Sequence, residues 1–463
     1  MENLELVFIP SPGVGHLVAT IQLAKHLIHR HDRLSAKILC MKFPSTPFAD
    51  EYTKTLVVSE SQIQLVELPE ADSPPPEQFI SKVKYIYAFI ESYIPHVRNT
   101  LNNIILSTNS NSDSPRVAGL VLSFFCLPMM EVANELGLPS YLTLASGTAF
   151  LSLMLSLPAL HDKFSSEFTD TVPDQVSLPG FPNPIPISVL PPRIFNMQDD
   201  AHNVALELAP RFRNPKGVIV NSFVELESRI VNALSDGETP PIYMVGPVLD
   251  LKGNSHPNLD QTRCENIMKW LDEQPPCSVL FLCFGSMGSF GASQVKEITI
   301  GLEHSGYRFL WSLNTPQQSD ENPGEILPVG FEERIGKRGM ICKGWTPQVE
   351  ILGHKAIGGF VSHCGWNSIL ESLWHGVPIA TLPLFAEQPL NAFTMVKEMG
   401  LAVEIRMDYR EVGGVKLLMD SESSSEVRKK VEEMKIMARK AVEEGGSSFV
   451  ALGELIKDII GSK

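Results

Sequence analysis

Two apolar runs, one in each half of the chain, decide what it can fold into. Leu4 to Ile9 and Ser278 to Phe284 carry no sustained polar alternation, which is the pattern of strands buried on both faces of a parallel sheet. Each run ends in a glycine-bearing turn. One is Pro10-Ser11-Pro12-Gly13-Val14-Gly15-His16; the other is Gly285-Ser286-Met287-Gly288. Helical periodicity follows in both cases. Leu17, Ile21, Ala24 and Ile28 share one stripe, and Val295, Ile298 and Leu302 another, with Ser293 as the expected cap. A doubly buried strand needs helices on both faces. A chain that starts this alternation twice is therefore expected to be α/β, with two Rossmann-like, doubly wound domains facing a cleft.

The alternation continues through the strand Ala36–Met41, a helix near Lys82–Asn103, the strand Gly119–Leu122 and a helix over Met129–Leu136. Strands Gly217–Asn221 and Ile242–Gly246 close the first half. In the second half, strands fall at Arg308–Leu313, Met340–Cys342, Ile357–Val361 and Ala402–Arg406. Two amphipathic helices end the chain, one lined by Val427, Val431, Met434 and Ala438, the other by Phe449, Leu452, Ile456 and Ile459. The expected division is 1–246, a linker within 247–265 containing DLKGNSHPNLDQ, 266–442, and a last segment 443–463. The Pro- and Gly-rich stretch Val172–Phe195 reads as a long loop, a kind that is usually functional.

Composition excludes several classes of partner. A formal net charge of −15 over 463 residues argues against nucleic acid and anionic membrane. The seven cysteines are scattered without a CxxC pair, the usage of a reducing compartment. The start MENLELVFIP has no basic segment ahead of a long apolar one. The uncharged stretch Leu136–Leu160 is long enough to cross a bilayer. It holds Pro139, Gly147 and Pro158, however, and divides into a strand, Ser140–Leu144, and a helix, Thr148–Leu157. The expectation is a cytoplasmic, monomeric protein without an integral membrane segment.

The densest polar pattern is GWTPQVEILGHKAIGGFVSHCGWNSILESLWHGVPIATLPLFAEQ, from Gly344 to Gln388. A strand runs into Ser362-His363-Cys364-Gly365, and a helix opens near Trp366-Asn367-Ser368. Free backbone N–H groups and a positive helix end then meet at one point, which suits phosphate. His363 can add a donor, and Gly365 lacks the Cβ that would hold a diphosphate off the backbone. Asn367 and Glu371 share a helix face, placing a carboxylate within reach of ribose hydroxyls. Trp345 offers a ring for a base and Gln348 an amide. Glu387 and Gln388 suit a polyol. Singly, each of these residues has a structural reading; in this order they point together to a nucleotide sugar.

The whole stretch resembles the sugar-nucleotide signature box of plant small-molecule UDP-glycosyltransferases. That resemblance implies the two-domain GT-B fold and covers nearly the whole chain. It implies uridine contacts from Trp345 and Gln348, diphosphate contacts from His363, Asn367 and Ser368, and a ribose contact from Glu371. Glu387 and Gln388 would hold the sugar, with Gln388 suggesting UDP-glucose as donor. Ser286, Gly365 and Trp366 complete the expected donor set. Leu382 stands where the family commonly has Trp, and Tyr409–Asp420 is shorter than its usual counterpart. No Asp-x-Asp occurs, so an inverting transfer without metal or other cofactor is expected.

For the acceptor proton the candidate base is His16, at a strand end in a glycine turn. The family's matching His is its catalytic base, usually oriented by an Asp at the end of a later strand. In GLVLSFFCLPMM that position is Ser123. A hydroxyl can accept a hydrogen bond from the ring but cannot balance its charge. This leaves open an acidic acceptor, N- or C-transfer, weak activity, or another acid close in space. Gly15, Phe124, Ser146, Phe150 and Leu190 are the expected acceptor pocket, for a small lipophilic phenolic, flavonoid or terpenoid compound. Two rivals remain. A nicotinamide enzyme would use Gly13-Val14-Gly15, but Val18 fills the third glycine position and no acid ends Ala36–Met41. A non-catalytic nucleotide-sugar-binding protein stays open because of Ser123.

Overall fold

The computed structural model describes residues 3–43, 54–72, 74–75, 79, 81–110, 114–166, 174–251, 260–314, 326–405, 419 and 422–461. The chain divides into two compact units. The first comprises Met1–Ile187, Pro192–Asp250 and Lys440–Lys463; the second comprises Ser188–Pro191 and Leu251–Arg439.

The first unit is built on a seven-stranded parallel sheet. Its strands are β1 (Leu4–Ile9), β2 (Leu34–Cys40), β3 (Ile63–Glu67), β4 (Arg116–Ser123), β5 (Ser140–Leu144), β6 (Gly217–Val220) and β7 (Ile242–Met244). They lie in the order β3-β2-β1-β4-β5-β6-β7, every pair parallel. All six residues of β1 are buried, the pattern of a strand covered on both faces, and the one charged residue among them, Glu5, pairs with Lys37. The helix Val14–Arg30 lays Leu17, Ile21, Ala24 and Ile28 on the core. The last helix, Ser447–Gly461, adds Leu452, Leu455, Ile456 and Ile459 to the same core. Burial of each such side chain is worth about 1.5–3 kcal/mol. Asp458 fixes this helix, taking the Tyr141 hydroxyl at 2.9 Å and the Lys216 ammonium at 2.8 Å.

The second unit carries a six-stranded parallel sheet: β8 (Val279–Cys283), β9 (Arg308–Leu313), β10 (Gly339–Lys343), β11 (Ile357–Ser362), β12 (Ile379–Thr381) and β13 (Ala402–Glu404). The order is β10-β9-β8-β11-β12-β13. Leu280, Leu282, Phe309, Trp311 and Val361 of its strands meet Val295, Ile298 and Leu302 of the helix Ala292–Ser305 in one core.

These sheets set the neighbours at each carboxyl edge. Ile9 pairs with Leu122, so the turn after β1 emerges beside Ser123. Cys283 pairs with Ser362, so the glycine turn after β8 emerges beside His363. In open parallel sheets ligands bind at such edges.

Several expected boundaries move. The strand β3 was not anticipated, because an edge strand reading IQLVE is only partly buried. The single helix expected over Lys82–Asn103 is two, Lys82–Ser92 and Ile94–Ser110, parted at Tyr93 just before Pro95. The helix expected to stop at Leu157 continues through Pro158 to Ser166. Ser293 does not cap its helix. Gly291 holds that place, and its N–H donates to the Gln294 side chain at 3.2 Å. The helix Gln261–Asp272 begins inside the expected linker, with Asp260 accepting from the Arg263 N–H at 3.0 Å. Within Val172–Phe195 the described part holds a two-stranded ribbon, Gln175–Val176 with Ile185–Pro186, and a short helix, Pro192–Phe195. Arg406 and, apart from Met419, the stretch Tyr409–Asp420 lie outside the described residues. No described helix is long and apolar enough to cross a membrane.

Candidate active site

In the second unit the polar cluster forms around the turn after β11. Cys364 takes a left-handed backbone with φ 62°, a conformation costly for a residue with a Cβ. Two contacts hold it there. The Ser362 hydroxyl accepts from the Cys364 N–H at 3.1 Å, and the Asn391 amide donates to the Cys364 carbonyl at 3.1 Å. The chain then enters the helix Trp366–His375 from Gly365, with no side-chain cap and no acidic residue in the first turn. Its first N–H groups and positive dipole end are thus not neutralised by the protein's own side chains.

His363 lies between two glycines. A Cβ on Gly285 would come within 2.8 Å of its Nε2, and one on Gly365 within 2.4 Å. No larger residue fits at either place with the ring where it is. Gly285 also has φ 73°, so it serves both the turn and the close approach. Burial holds the imidazole down at about 4, only partly opposed by the Cys283 main chain. His363 is therefore neutral near pH 7 and can donate from a ring N–H without carrying charge.

Glu371 and Ser368 stand one turn apart on the helix and meet a single partner. The Gln348 Nε2 donates to the Ser368 hydroxyl at 2.9 Å and to the Glu371 Oε2 at 2.6 Å. Gln348 opens the short helix Gln348–Leu352, which follows Trp345. The backbone before Trp345 is pinned too. Arg263 Nη1 donates to the Lys343 carbonyl at 2.7 Å, and Ser312 donates to the Gly344 carbonyl at 3.2 Å. Trp345, Asn367 and Glu371 are half-buried, Trp366 and Ser368 are buried, and Ser286 is exposed on its turn.

Gln388 is buried at the start of the helix Gln388–Phe393. Its Oε1 accepts from the Leu384 and Phe385 N–H groups at 2.9 and 3.1 Å. Two backbone donors on one atom identify it as the oxygen, which leaves the two N–H groups of the amide off that loop contact. Beside it, Glu387 follows Ala386, whose φ is 54°, and burial raises the Glu387 carboxyl above its ordinary range. Leu382 is partly buried against the core of this unit.

In the first unit, His16 and Ser123 line one recess, together with Phe124, Thr20, Thr143, Asn221 and several apolar residues. The empty space, part of it open to solvent, is about 460 Å³. His16 is half-buried. Burial lowers its pKa, and no neighbouring carboxylate contributes. Ser123 is 5% exposed. Its hydroxyl forms no hydrogen bond, to His16 or to any other group, among the described residues.

Of the expected acceptor-pocket residues, Phe124 lines this recess; Gly15, Ser146, Phe150 and Leu190 do not. Phe150 still meets Phe124 edge to face at 5.8 Å. Ser146 is buried with an unpartnered hydroxyl, Gly15 is exposed, and Leu190 is buried in the short segment grouped with the second unit. Thr143 and Asn221 were not anticipated. Both sit at or just past the carboxyl ends of parallel strands, the one signal that could have marked them.

Residues 243–418 match the family described as UDP-glucoronosyl and UDP-glucosyl transferase. UDP-glycosyltransferase 71K1 of Malus domestica is 51% identical, with 100% of both chains covered. The chain belongs to the UDP-glycosyltransferase family. Flavonol 3-O-glucosyltransferase UGT71C4 of Arabidopsis thaliana is 46% identical over 99% of this chain and 98% of its own. Among solved structures, Medicago truncatula UGT71G1 complexed with UDP-glucose is similar at a TM-score of 0.87, with 49% identity over 99% of each chain. This UDP-glycosyltransferase therefore has the GT-B fold of two Rossmann-like units, and the nicotinamide reading falls away.

Proposed function

We propose that the enzyme moves glucose from UDP-glucose to a hydroxyl of a small lipophilic acceptor, phenolic, flavonoid or terpenoid, with inversion and without metal. The observation that carries this is the Gln348–Ser368–Glu371 network beside a neutral His363 and an uncapped helix start. Such a set offers an amide and a ring for a base, a carboxylate for ribose and uncharged donors for a diphosphate. In this reading Trp345 and Gln348 hold the uracil, Glu371 the ribose, and His363, Asn367 and Ser368 the diphosphate. Glu387 and the N–H groups of Gln388 read the glucose hydroxyls.

The acceptor binds through the first unit. His16 takes the proton from its hydroxyl as the oxygen attacks the anomeric carbon. The bond to the diphosphate oxygen breaks on the opposite face, which gives inversion, and UDP leaves with the electron pair. Because no acid among the described residues supports His16, acceptors that lose a proton easily are favoured. Transfer to a nitrogen or carbon nucleophile is the second reading. The enzyme works as a cytoplasmic monomer.

Mixing the protein with UDP-glucose and a panel of phenols, alcohols and anilines tests this. UDP release with a product heavier by one glucosyl group is expected for at least one phenol. Donor binding by calorimetry without release across the panel would overturn the reading.

A further inference from the structure

We propose that the recess beside His16 is a binding site for one small carboxylate anion, of formate or acetate size, which sits against Ser123 and pairs with the imidazolium. The inference rests on His16 being the base.

Three observations lead there. First, Ser123 is 5% exposed, lines the recess, and its hydroxyl has no partner among the described residues. A hydroxyl without a protein partner is a vacant donor. Thr143, paired with Ser123 across β4 and β5, brings a second hydroxyl to the same wall. Second, His16 is the one titratable side chain lining the recess among the described residues. When it takes a proton, the new charge has no counter-ion among them; a water there would supply a dipole, and an anion a full opposite charge. Third, the other polar groups are committed. Both side-chain amide atoms of Asn221 bond Val248, at 2.7 and 3.0 Å, and the Thr20 hydroxyl donates to the His16 carbonyl at 2.9 Å. The anion's donors are thus Ser123, Thr143 and the protonated ring.

Size selects the ligand. Within the 460 Å³ that opens to solvent, the cavity proper is only about 30 Å³, room for about two waters or one three-atom anion. A branched acid is larger than that space.

The test adds sodium formate to the native enzyme against sodium chloride at equal ionic strength, with UDP-glucose and a simple alcohol as acceptor. Formate should raise turnover saturably, by about tenfold, the scale of one charge-assisted hydrogen bond, and raise the His16 titration midpoint read by NMR of the ring. Pivalate should do neither. In Ser123→Asp the carboxylate fills the recess, so formate should leave both readouts unchanged. A native enzyme responding to formate no more than to chloride, in turnover and in the His16 midpoint, would overturn the proposal. Measurable turnover in chloride that is lost in His16→Ala tests the underlying reading separately. Should the alcohol not turn over at all, the His16 midpoint alone decides the site.

Discussion

At the scale of single residues, the hydrogen-bond assignments change what each substitution should do. Gln388 accepts two loop N–H groups through its oxygen, so Gln388→Ala removes a loop anchor as well as sugar contacts. Gln388→Glu is the cleaner probe, since it keeps an acceptor for the loop and deletes the two donors. It should cost about 1–3 kcal/mol in kcat/KM for UDP-glucose, the penalty of an unmade buried hydrogen bond, and leave UDP affinity nearly unchanged. Calorimetry showing UDP binding weakened as much as turnover would disprove that division of labour. His16→Ala should keep UDP binding and lose transfer to an aliphatic alcohol by about 10²–10⁴-fold. Near-native rates in that variant would remove His16 from the mechanism.

At the scale of elements, the donor site depends on two turns meeting at the edge of one sheet. β8 and β11 are neighbours, and His363 fits only because Gly285 and Gly365 lack a Cβ. Gly365→Ala should displace the ring and weaken UDP binding by about tenfold or more, the 1–3 kcal/mol scale of overpacking. Gly453→Ala, with no atom within 4 Å of the added Cβ, should leave the UDP dissociation constant unchanged. Equal affinities in all three proteins would mean that the His363 position is irrelevant to the diphosphate. The box itself was legible in the sequence because its residues are contiguous and each has a distinct chemistry. The sheets were legible because β8 is an unbroken apolar run and β1 is apolar but for Glu5. What stayed hidden depends on tertiary neighbours. The packing of Gly285 on His363 joins turns far apart in the chain. Thr143 and Asn221 are ordinary strand-end residues until β4, β5 and β6 bring them beside His16. The edge strand β3 and the break at Tyr93 lacked a full apolar pattern.

At the scale of the whole molecule, buried imidazoles tie stability to pH. Burial holds His363 and His375 at about 4, below the 6.5 of a free imidazole, and lowers His16 as well. The unfolded chain therefore binds protons first as pH falls. This stabilisation is complete above about 6.5 and is lost as pH drops from there toward 4. For His363 alone, at about 1.4 kcal/mol per pKa unit, it amounts to roughly 3 kcal/mol. Urea unfolding at pH 7.5 and at pH 5 should show lower stability at the acid value, and His363→Asn should show a smaller difference. A stability that is flat or rising over that fall in pH would contradict the burial of these rings in the folded state. The same lack of compensation governs the reaction. The central claim is that His16 takes the acceptor proton with a hydroxyl, Ser123, where an acid would support it. Introducing that acid as Ser123→Asp should favour acceptors whose proton is hard to remove, by on the order of 1–3 kcal/mol, the worth of a charge-assisted hydrogen bond. The measurement is the ratio of transfer rates, Ser123→Asp over native, for a simple alcohol and for an acidic phenol. The account predicts a clearly larger ratio for the alcohol; equal ratios for the two acceptors would contradict it.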